Sequence, residues 1–146
     1  MIAIGSDHAG YSLKQEIMKH LDDAHVEYRD YGTFSEQSCD YPDFAQKTCA
    51  AVIGGECRLG ILICGTGIGM SIAANKIAGI RAACCSDYFS AKFTREHNDA
   101  NILCLGGRVV GGGLACELVD VFLNTPFSHG ENHLRRLGKI TALESK

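Results

Sequence analysis

The sequence predicts an α/β protein: a single domain over residues 1–146 in which a five-stranded parallel sheet lies between two layers of helices, a three-layer αβα sandwich. A chain of 146 residues is the size of one ordinary domain, and 46% of its residues are hydrophobic, enough to fill one core. Short apolar runs alternate with stretches whose apolar residues recur at helical spacing. The runs are apolar throughout, which is typical of parallel strands buried on both faces.

The strands are predicted from five apolar runs: Met1–Gly5, Val26–Tyr31, Leu59–Cys64, Ile80–Cys85 and Asn101–Leu105. The intervening stretches predict helices over residues 13–21, 42–53, 70–74, 87–97 and 114–123. A polar, partly basic segment runs from Ser128 to the end. This order, with right-handed crossovers, is a Rossmann-like arrangement, so a ligand is expected at the carboxyl ends of the strands.

Charge and termini disfavour several classes of function. A net charge of −3, without a basic block, argues against nucleic-acid binding, which needs a basic surface. The N-terminus has neither the basic start nor the long apolar stretch of a signal peptide. No run approaches the ~18 apolar residues that a membrane span requires. We therefore expect a cytoplasmic protein with no nucleic-acid or membrane partner.

Eight cysteines could suggest a disulfide framework, but their positions argue against one. Cys64, Cys84, Cys85 and Cys104 lie in apolar runs that predict buried strands, whereas small disulfide scaffolds carry their cysteines in loops. There is no C-x-x-C pair and the six histidines are scattered, so a zinc site has no ligand spacing to support it. The thiols are predicted to be reduced, and burial in strand four is the only account of the Cys84-Cys85 pair.

A glycine-rich loop, residues 64–69, follows the third predicted strand and reads Cys64-Gly65-Thr66-Gly67-Ile68-Gly69. Its glycines allow the backbone to approach a ligand closely, and its free N–H groups favour an anion. Met70 stands where a dinucleotide fingerprint needs glycine, a Walker loop needs lysine and a cysteine phosphatase loop needs arginine. This glycine loop is therefore not expected to grip a nucleotide or to remove a phosphoryl group.

Cys64 stands where the third strand ends and a helix begins. A helix dipole and nearby amides can produce a thiolate at such a position, and a thiolate facing amide donors is a base beside an oxyanion hole. That pairing suits proton abstraction next to a carbonyl, with the developing enediolate held by the amides. A second interpretation remains open, in which Cys64 is simply the last buried residue of the strand.

Longer motifs carry a resemblance that covers nearly the whole chain. They are Gly5-Ser6-Asp7-His8-Ala9-Gly10, Asp40-Tyr41-Pro42-Asp43, residues 63–76 around the glycine loop, Gly79-Ile80-Arg81-Ala82, residues 95–101 and Gly107-Arg108-Val109-Val110-Gly111. In this order they resemble the ribose-5-phosphate isomerase B family, which includes galactose-6-phosphate and allose-6-phosphate isomerases. The resemblance implies an aldose–ketose isomerase that acts on a small sugar phosphate through an enediolate, without a metal or organic cofactor.

The resemblance also implies roles for individual residues. Cys64 resembles the base that moves a proton between C1 and C2, and Thr66 and His97 resemble the pair that opens the furanose ring. The remaining positions resemble substrate-binding residues: Gly65, Gly67, Ile68 and Gly69 with Ser71 for the enediolate, Asp7 and Tyr41 for sugar hydroxyls, Asn98, and His8, Arg108 and Arg136 for the phosphate.

Family members place this site between two subunits, so the resemblance implies a homodimer or a dimer of dimers. His97, Asn98 and Arg108 are then expected to reach the site from a partner chain. The C-terminal segment, residues 128–146, is expected to complete the phosphate site through Arg136.

One position departs from the family pattern Arg-His-x-x-Arg, because Asn132 stands at the first arginine. A neutral amide cannot replace the bidentate, charge-assisted grip of arginine on phosphate. Arg135 lies about 100° round a helix from Arg136 and so points elsewhere. Asn132 therefore leaves the identity of the sugar phosphate open, but not the type of reaction.

The leading prediction is interconversion of D-ribose 5-phosphate and D-ribulose 5-phosphate. The near alternatives are allose 6-phosphate, galactose 6-phosphate or a tetrose phosphate as substrate. A distant alternative is a non-catalytic, receiver-like binding module, which strand ends at Cys64 and Gly106 disfavour. Plainer roles stay open for five positions: Asp7 as a helix cap, Tyr41 as a turn residue, Ser71 as an ordinary helix position, His97 as a helix-end residue and Arg108 as a solvated side chain.

Overall fold

The computed structural model describes residues 1–145, which form one five-stranded sheet and six helices. The strands are β1 (Ile2–Ser6), β2 (Tyr28–Asp30), β3 (Leu59–Cys64), β4 (Ala82–Cys84) and β5 (Ile102–Gly106). The helices are α1 (Tyr11–Asp23), α2 (Tyr41–Ile53), α3 (Ile68–Ala74), α4 (Tyr88–Asn98), α5 (Gly112–Asn124) and α6 (Glu131–Leu143). No helix within residues 1–145 is long and apolar enough to cross a membrane.

The sheet has the order β2-β1-β3-β5-β4, and every pairing is parallel, so the α/β prediction is confirmed. The three central strands are buried along their whole length, as their continuous apolar sequences predict. The two edge strands contain only three residues each, whereas the apolar runs predict longer strands. An edge strand has one pairing neighbour, and side-chain pattern alone does not show where that pairing stops.

Each face of the sheet has its own core. Ile61 and Ile63 of β3 pack on the face that carries α1, α4 and α5, together with Ile17 and Phe122. Leu62 and Cys64 point to the opposite face, which is covered by α2 and α3. Burying one such large aliphatic side chain stabilises the fold by roughly 1.5–3 kcal/mol. The alternation along β3 therefore places the Cys64 side chain on the α2–α3 face.

The structure adds one helix to the predicted set and corrects one predicted burial. The segment after Ser128 contains the sixth helix, α6, of which only Leu137 is buried. Its apolar stripe, Leu134, Leu137 and Ile140, has helical spacing, but its polar composition masks that signal. Cys84 is exposed rather than buried, because β4 is an edge strand, and only its neighbour Cys85 is buried.

Candidate active site

The carboxyl ends of β1, β3 and β5 are joined directly by backbone hydrogen bonds. The Asp7 amide donates to the Ile63 carbonyl at 3.1 Å, and the Gly107 amide donates to the Cys64 carbonyl at 2.8 Å. The Arg108 amide donates to the Gly65 carbonyl at 3.0 Å. The polar residues that follow these strands therefore lie side by side at one edge of the sheet, called here the carboxyl edge.

Glycine is required for this close approach. A Cβ atom at Gly107 would lie 2.9 Å from the Ala9 carbonyl oxygen. Gly67 has a φ of +81°, in the left-handed region, and a Cβ there would lie 2.9 Å from the Leu105 carbonyl carbon. A larger residue at either position would separate the glycine loop from its neighbours.

Cys64 is 5% exposed and ends β3 beneath the glycine loop. Its Sγ accepts a hydrogen bond from the Gly67 amide at 3.1 Å. A backbone N–H directed at a sulfur stabilises negative charge on that sulfur. Cys64 is thus buried, as the plainer interpretation requires, and it also faces an amide donor, which a packing role alone does not require.

The two hydroxyl groups near the glycine loop bond within it. The Thr66 Oγ1 accepts from the Ile68 amide at 3.2 Å, and its residue is exposed to solvent. The Ser71 hydroxyl donates to the Ile68 carbonyl at 2.8 Å. The Ser71 proton is therefore used within its own helix, which is the ordinary helical role, and only its lone pairs face outward.

Asp7 and His8 form the turn between β1 and α1. The buried Asp7 carboxylate accepts from the Gly10 amide at 3.0 Å, so it does cap this turn. The His8 Nδ1 accepts from the Cys39 amide at 3.2 Å. The Cys39 Sγ lies 3.8 Å from the same nitrogen. A ring nitrogen that accepts carries no proton, so the bond from the Cys39 amide favours the tautomer with the proton on Nε2.

Tyr41 and Arg108 lie against opposite ends of the glycine loop. A Cβ at Gly69 would be 2.8 Å from the Tyr41 ring, so the tyrosine rests on the loop backbone. A Cβ at Gly65 would be 3.5 Å from the Arg108 Nη1. Arg108 was expected from a partner chain, but here it lies against the glycine loop of its own chain.

The end of α4, which carries His97 and Asn98, lies toward the amino-terminal ends of the strands, away from the carboxyl edge. Helix α4 starts beyond the carboxyl end of β4 and returns, so that the Asn98 carbonyl accepts from the Arg81 Nε at 2.8 Å, just before β4 begins. Ala82 of β4 and Gly60 of β3 both pair with Ile102 of β5, so they lie at the same level of the sheet. Gly60 is four residues before Cys64, which is about 13 Å along the strand. Within one chain the Asn98 backbone is therefore remote from Cys64, and the neighbouring His97 side chain lines a cleft with Cys84 and Cys85.

A row of aromatic rings holds His97 in place. The His97 ring stacks on His133 of α6, with centroids 4.3 Å apart and planes 12° apart, and it also contacts Phe93 at 5.0 Å. Arg136 projects from the same helix and is exposed. Asn132 accepts from the Arg135 guanidinium at 3.0 Å, so Arg135 reaches the side chain of the position at which the family pattern has arginine.

Sequence reasoning missed Cys84 as a neighbour of the glycine loop. Its thiol donates to the Thr66 carbonyl at 3.6 Å, and a Cβ at Gly67 would meet its sulfur at 3.0 Å. Although Cys84 is exposed as a residue, partial desolvation of its sulfur, together with the nearby Cys64, raises the pKa of this thiol above its ordinary value. Cys84 lies beside the glycine loop because β4 and β3 both pair with β5, and nothing in the sequence indicates that arrangement.

Metal ligation has no support in the part of the chain that the structure describes. Among residues 1–145, no group of three or more His, Cys, Asp or Glu side chains is arranged to hold a metal ion.

Comparison with known proteins decides the family. Residues 2–140 match the family model described as Ribose/Galactose Isomerase. The chain belongs to this family. Ribose-5-phosphate isomerase B of Escherichia coli is 51% identical over 145 residues, which are 99% of this chain and 97% of the relative. The family that the sequence motifs predict is therefore confirmed.

Solved structures agree with that assignment. Ribose-5-phosphate isomerase B of Clostridium thermocellum superposes with a TM-score of 0.96 and 54% identity, covering 99% of this chain and 97% of the other. Ribose-5-phosphate isomerase B of Mycoplasma genitalium, solved with bound ribulose-5-phosphate, has a TM-score of 0.92 and 40% identity, covering 99% and 96% of the two chains.

Proposed function

We propose that this protein is an aldose–ketose isomerase that interconverts D-ribose 5-phosphate and D-ribulose 5-phosphate. The observation that carries the proposal is the Cys64 sulfur, buried at the end of β3 and facing the Gly67 amide at 3.1 Å. The names of the relatives support the choice of substrate, and the bound ribulose-5-phosphate of the Mycoplasma genitalium structure supports the class of ligand.

The chemistry that this arrangement supports is a proton transfer on the open-chain sugar. The Cys64 thiolate removes the proton from C2, and the electron pair of that bond forms the C1=C2 double bond while O1 becomes negatively charged. The amides of the glycine loop hold that charge as an oxyanion hole. The same proton returns from the thiol to C1, and a proton passes from O2 to O1, which leaves the ketose and a thiolate ready for another turnover.

Substrate recognition falls to the residues around the glycine loop. The His8 Nε2–H and the Arg108 guanidinium are donors for the phosphate, and Arg108 adds a full positive charge. Tyr41, which rests on Gly69, and Asp7 are the proposed contacts to sugar hydroxyls. These assignments come from the family resemblance and are compatible with the positions of the side chains.

The active unit is proposed to be at least a homodimer, with His97, Asn98 and Arg136 supplied by the second chain. The end of α4 lies beside Arg81, before β4 begins, and α6 packs against it, so a second copy is the proposed source of these residues. Several apolar side chains near the carboxyl edge and on α4 are more than half exposed, as expected of a surface that a second copy covers. They are Ile68, Ile72, Tyr88, Phe89 and Val109.

Cytoplasmic localisation is part of the proposal and rests on the cysteines. All eight are free, and four of them lie in or directly after β3, β4 and β5. Free thiols in this number are typical of a reducing compartment.

Asn132 favours a second candidate, the isomerisation of a different aldose phosphate. Its amide bonds to Arg135 instead of offering a charge to a phosphate, so the phosphate grip depends on fewer cations. A panel of aldose phosphates compared by kcat/KM distinguishes the two. Ribose 5-phosphate is expected to give the highest value, and a higher value for a hexose or tetrose phosphate would replace the proposed substrate without changing the reaction.

The base assignment is tested by the substitution Cys64→Ala. Loss of the proton-transferring group should lower kcat about 10³-fold, while KM stays within about threefold because the substrate contacts remain. Cys116→Ala, a cysteine on α5 remote from the glycine loop, is the matched control and should behave like the wild type. Retention of a tenth or more of the wild-type kcat by the Cys64 variant would refute the assignment.

A further inference from the structure

Lys14 is an ionisable side chain that the proposed reaction does not use. It lies on α1 with 0% of its surface exposed, although an ammonium group is costly to bury unless it is paired. Its Nζ donates to Asp30 Oδ1 at 2.7 Å and also to the Thr33 carbonyl. The rings of Tyr11 and Phe34 lie 5.4 and 5.2 Å from the nitrogen, within the range of cation–π attraction.

These contacts converge on the start of one connecting segment, residues 31–40, which joins β2 to α2. The Asp30 oxygen that receives Lys14 also accepts from the Gly32 amide at 2.8 Å. The Gly32 carbonyl accepts from the Ser6 amide at 2.6 Å, and the Thr33 amide donates to the Ser6 carbonyl at 2.7 Å. Lys14 therefore ties α1, the end of β2 and the connecting segment to the end of β1.

The far end of the same segment reaches the candidate active site. The Cys39 amide is the donor that selects the His8 tautomer, and Tyr41 follows directly and rests on Gly69. Between these ends, residues 34–38 are exposed, so they add little packing of their own. The segment that carries Cys39 and leads to Tyr41 is thus held at its two ends, by the Lys14 contacts at its start and by α2 at its end.

We propose that Lys14 is a positioning residue for the substrate site: by holding the start of residues 31–40, it keeps His8 as an Nε2–H donor and Tyr41 over the glycine loop. The enclosed ammonium does not reach the substrate, so Lys14 is neither a phosphate ligand nor a base. This inference deepens the proposed function and rests on it for its kinetic consequences.

The kinetic signature follows from which contacts are affected. His8 and Tyr41 are proposed to hold the phosphate and hydroxyls, which are bound alike in the ground state and in the transition state. Cys64 and the glycine-loop amides belong to β3, α3 and the turn between them, and the Cys64 sulfur accepts its hydrogen bond within that turn, from Gly67. Loss of Lys14 should therefore raise KM with little change in kcat.

The test is the double substitution Lys14→Met with Asp30→Asn. Methionine replaces the stem without the charge, and asparagine keeps an oxygen for the Gly32 amide while leaving no unpaired carboxylate. KM for ribose 5-phosphate should rise about tenfold, with kcat within about threefold of the wild type. The matched control is Lys47→Met, which removes an ammonium 5.1 Å from the Phe44 ring on exposed helix surface and should leave both constants unchanged.

A second readout does not depend on turnover. Nitrogen-15 NMR of His8 should show a protonated Nε2 and an unprotonated Nδ1 in the wild type, and a mixture of tautomers in the double variant. A folded double variant with unchanged KM and an unchanged His8 tautomer overturns the proposal, as does a fall in kcat alone.

The proposal remains testable if the double variant does not fold or if the wild type is inactive. If the double variant does not fold, Asp30→Asn alone should still raise KM in the same direction but by less, and an unchanged KM overturns the proposal. If the wild type isomerises no sugar phosphate, the proposed function fails, while the His8 tautomer in the variant still decides the role of Lys14.

Discussion

The carboxyl ends of the strands and the end of α4 carry different parts of the proposed site. At the carboxyl edge, three strand ends are joined by backbone hydrogen bonds, and Cys64 is buried beneath the glycine loop. Toward the other end of the strands, His97 stacks on His133 of α6, the helix that also carries the exposed Arg136. On the proposed function, one chain holds two half-sites that a second copy completes, and the catalytic unit is then larger than one chain.

The largest expected effect on the second half-site comes from His97→Asn. Without the imidazole that assists ring opening, kcat for ribose 5-phosphate should fall by about 10²–10⁴-fold, which steady-state kinetics would measure. His129→Asn is the control, because His129 is exposed and has a φ of 60° that asparagine tolerates. A kcat equal to that of the wild type would remove His97 from the mechanism.

A smaller effect is expected from Arg136→Gln. If this arginine binds the phosphate, its loss should raise KM about 10- to 100-fold, and the dependence of KM on salt concentration should weaken. Arg135→Gln is the paired control on the same helix, since Arg135 bonds to Asn132. Equal effects of the two substitutions would indicate general electrostatics instead of a specific phosphate contact.

The smallest effect should come from the first half-site, through Gly69→Ala. The added methyl group would lie 2.8 Å from the Tyr41 ring and displace it, so KM should rise about tenfold with a smaller change in kcat. Gly113→Ala, where nothing lies within 4 Å of the added atom, is the matched control and should leave KM unchanged. An unchanged KM for the Gly69 variant would show that Tyr41 does not contact the substrate.

Sequence pattern was sufficient where burial is continuous. Leu59–Cys64 is apolar throughout and forms β3 at the predicted bounds, and the glycine loop follows it directly. The carboxyl-edge residues could be grouped because the ends of parallel strands meet at the same edge. The family and the fold class followed from these features.

The features that sequence missed depend on tertiary neighbours. Cys84 is exposed because β4 lies at the sheet edge, and Lys14 is buried because Asp30 and the connecting segment enclose it. Neither residue differs in type from an ordinary strand cysteine or helix lysine. Helix α4 runs back along the sheet, and its last turn lies beside Arg81, before β4 begins. The position of His97 relative to Cys64 depends on this direction, which the sequence pattern does not show.

The central claim, that each site combines Cys64 of one chain with His97 of another, is tested most directly by mixing the Cys64→Ala and His97→Asn variants under conditions that allow subunit exchange. A random mixture of dimers is half heterodimer, and each heterodimer has one site with both residues intact, so about a quarter of the wild-type activity should return. Tags on the two variants would confirm that heterodimers form. Heterodimers without recovered activity would contradict a shared site.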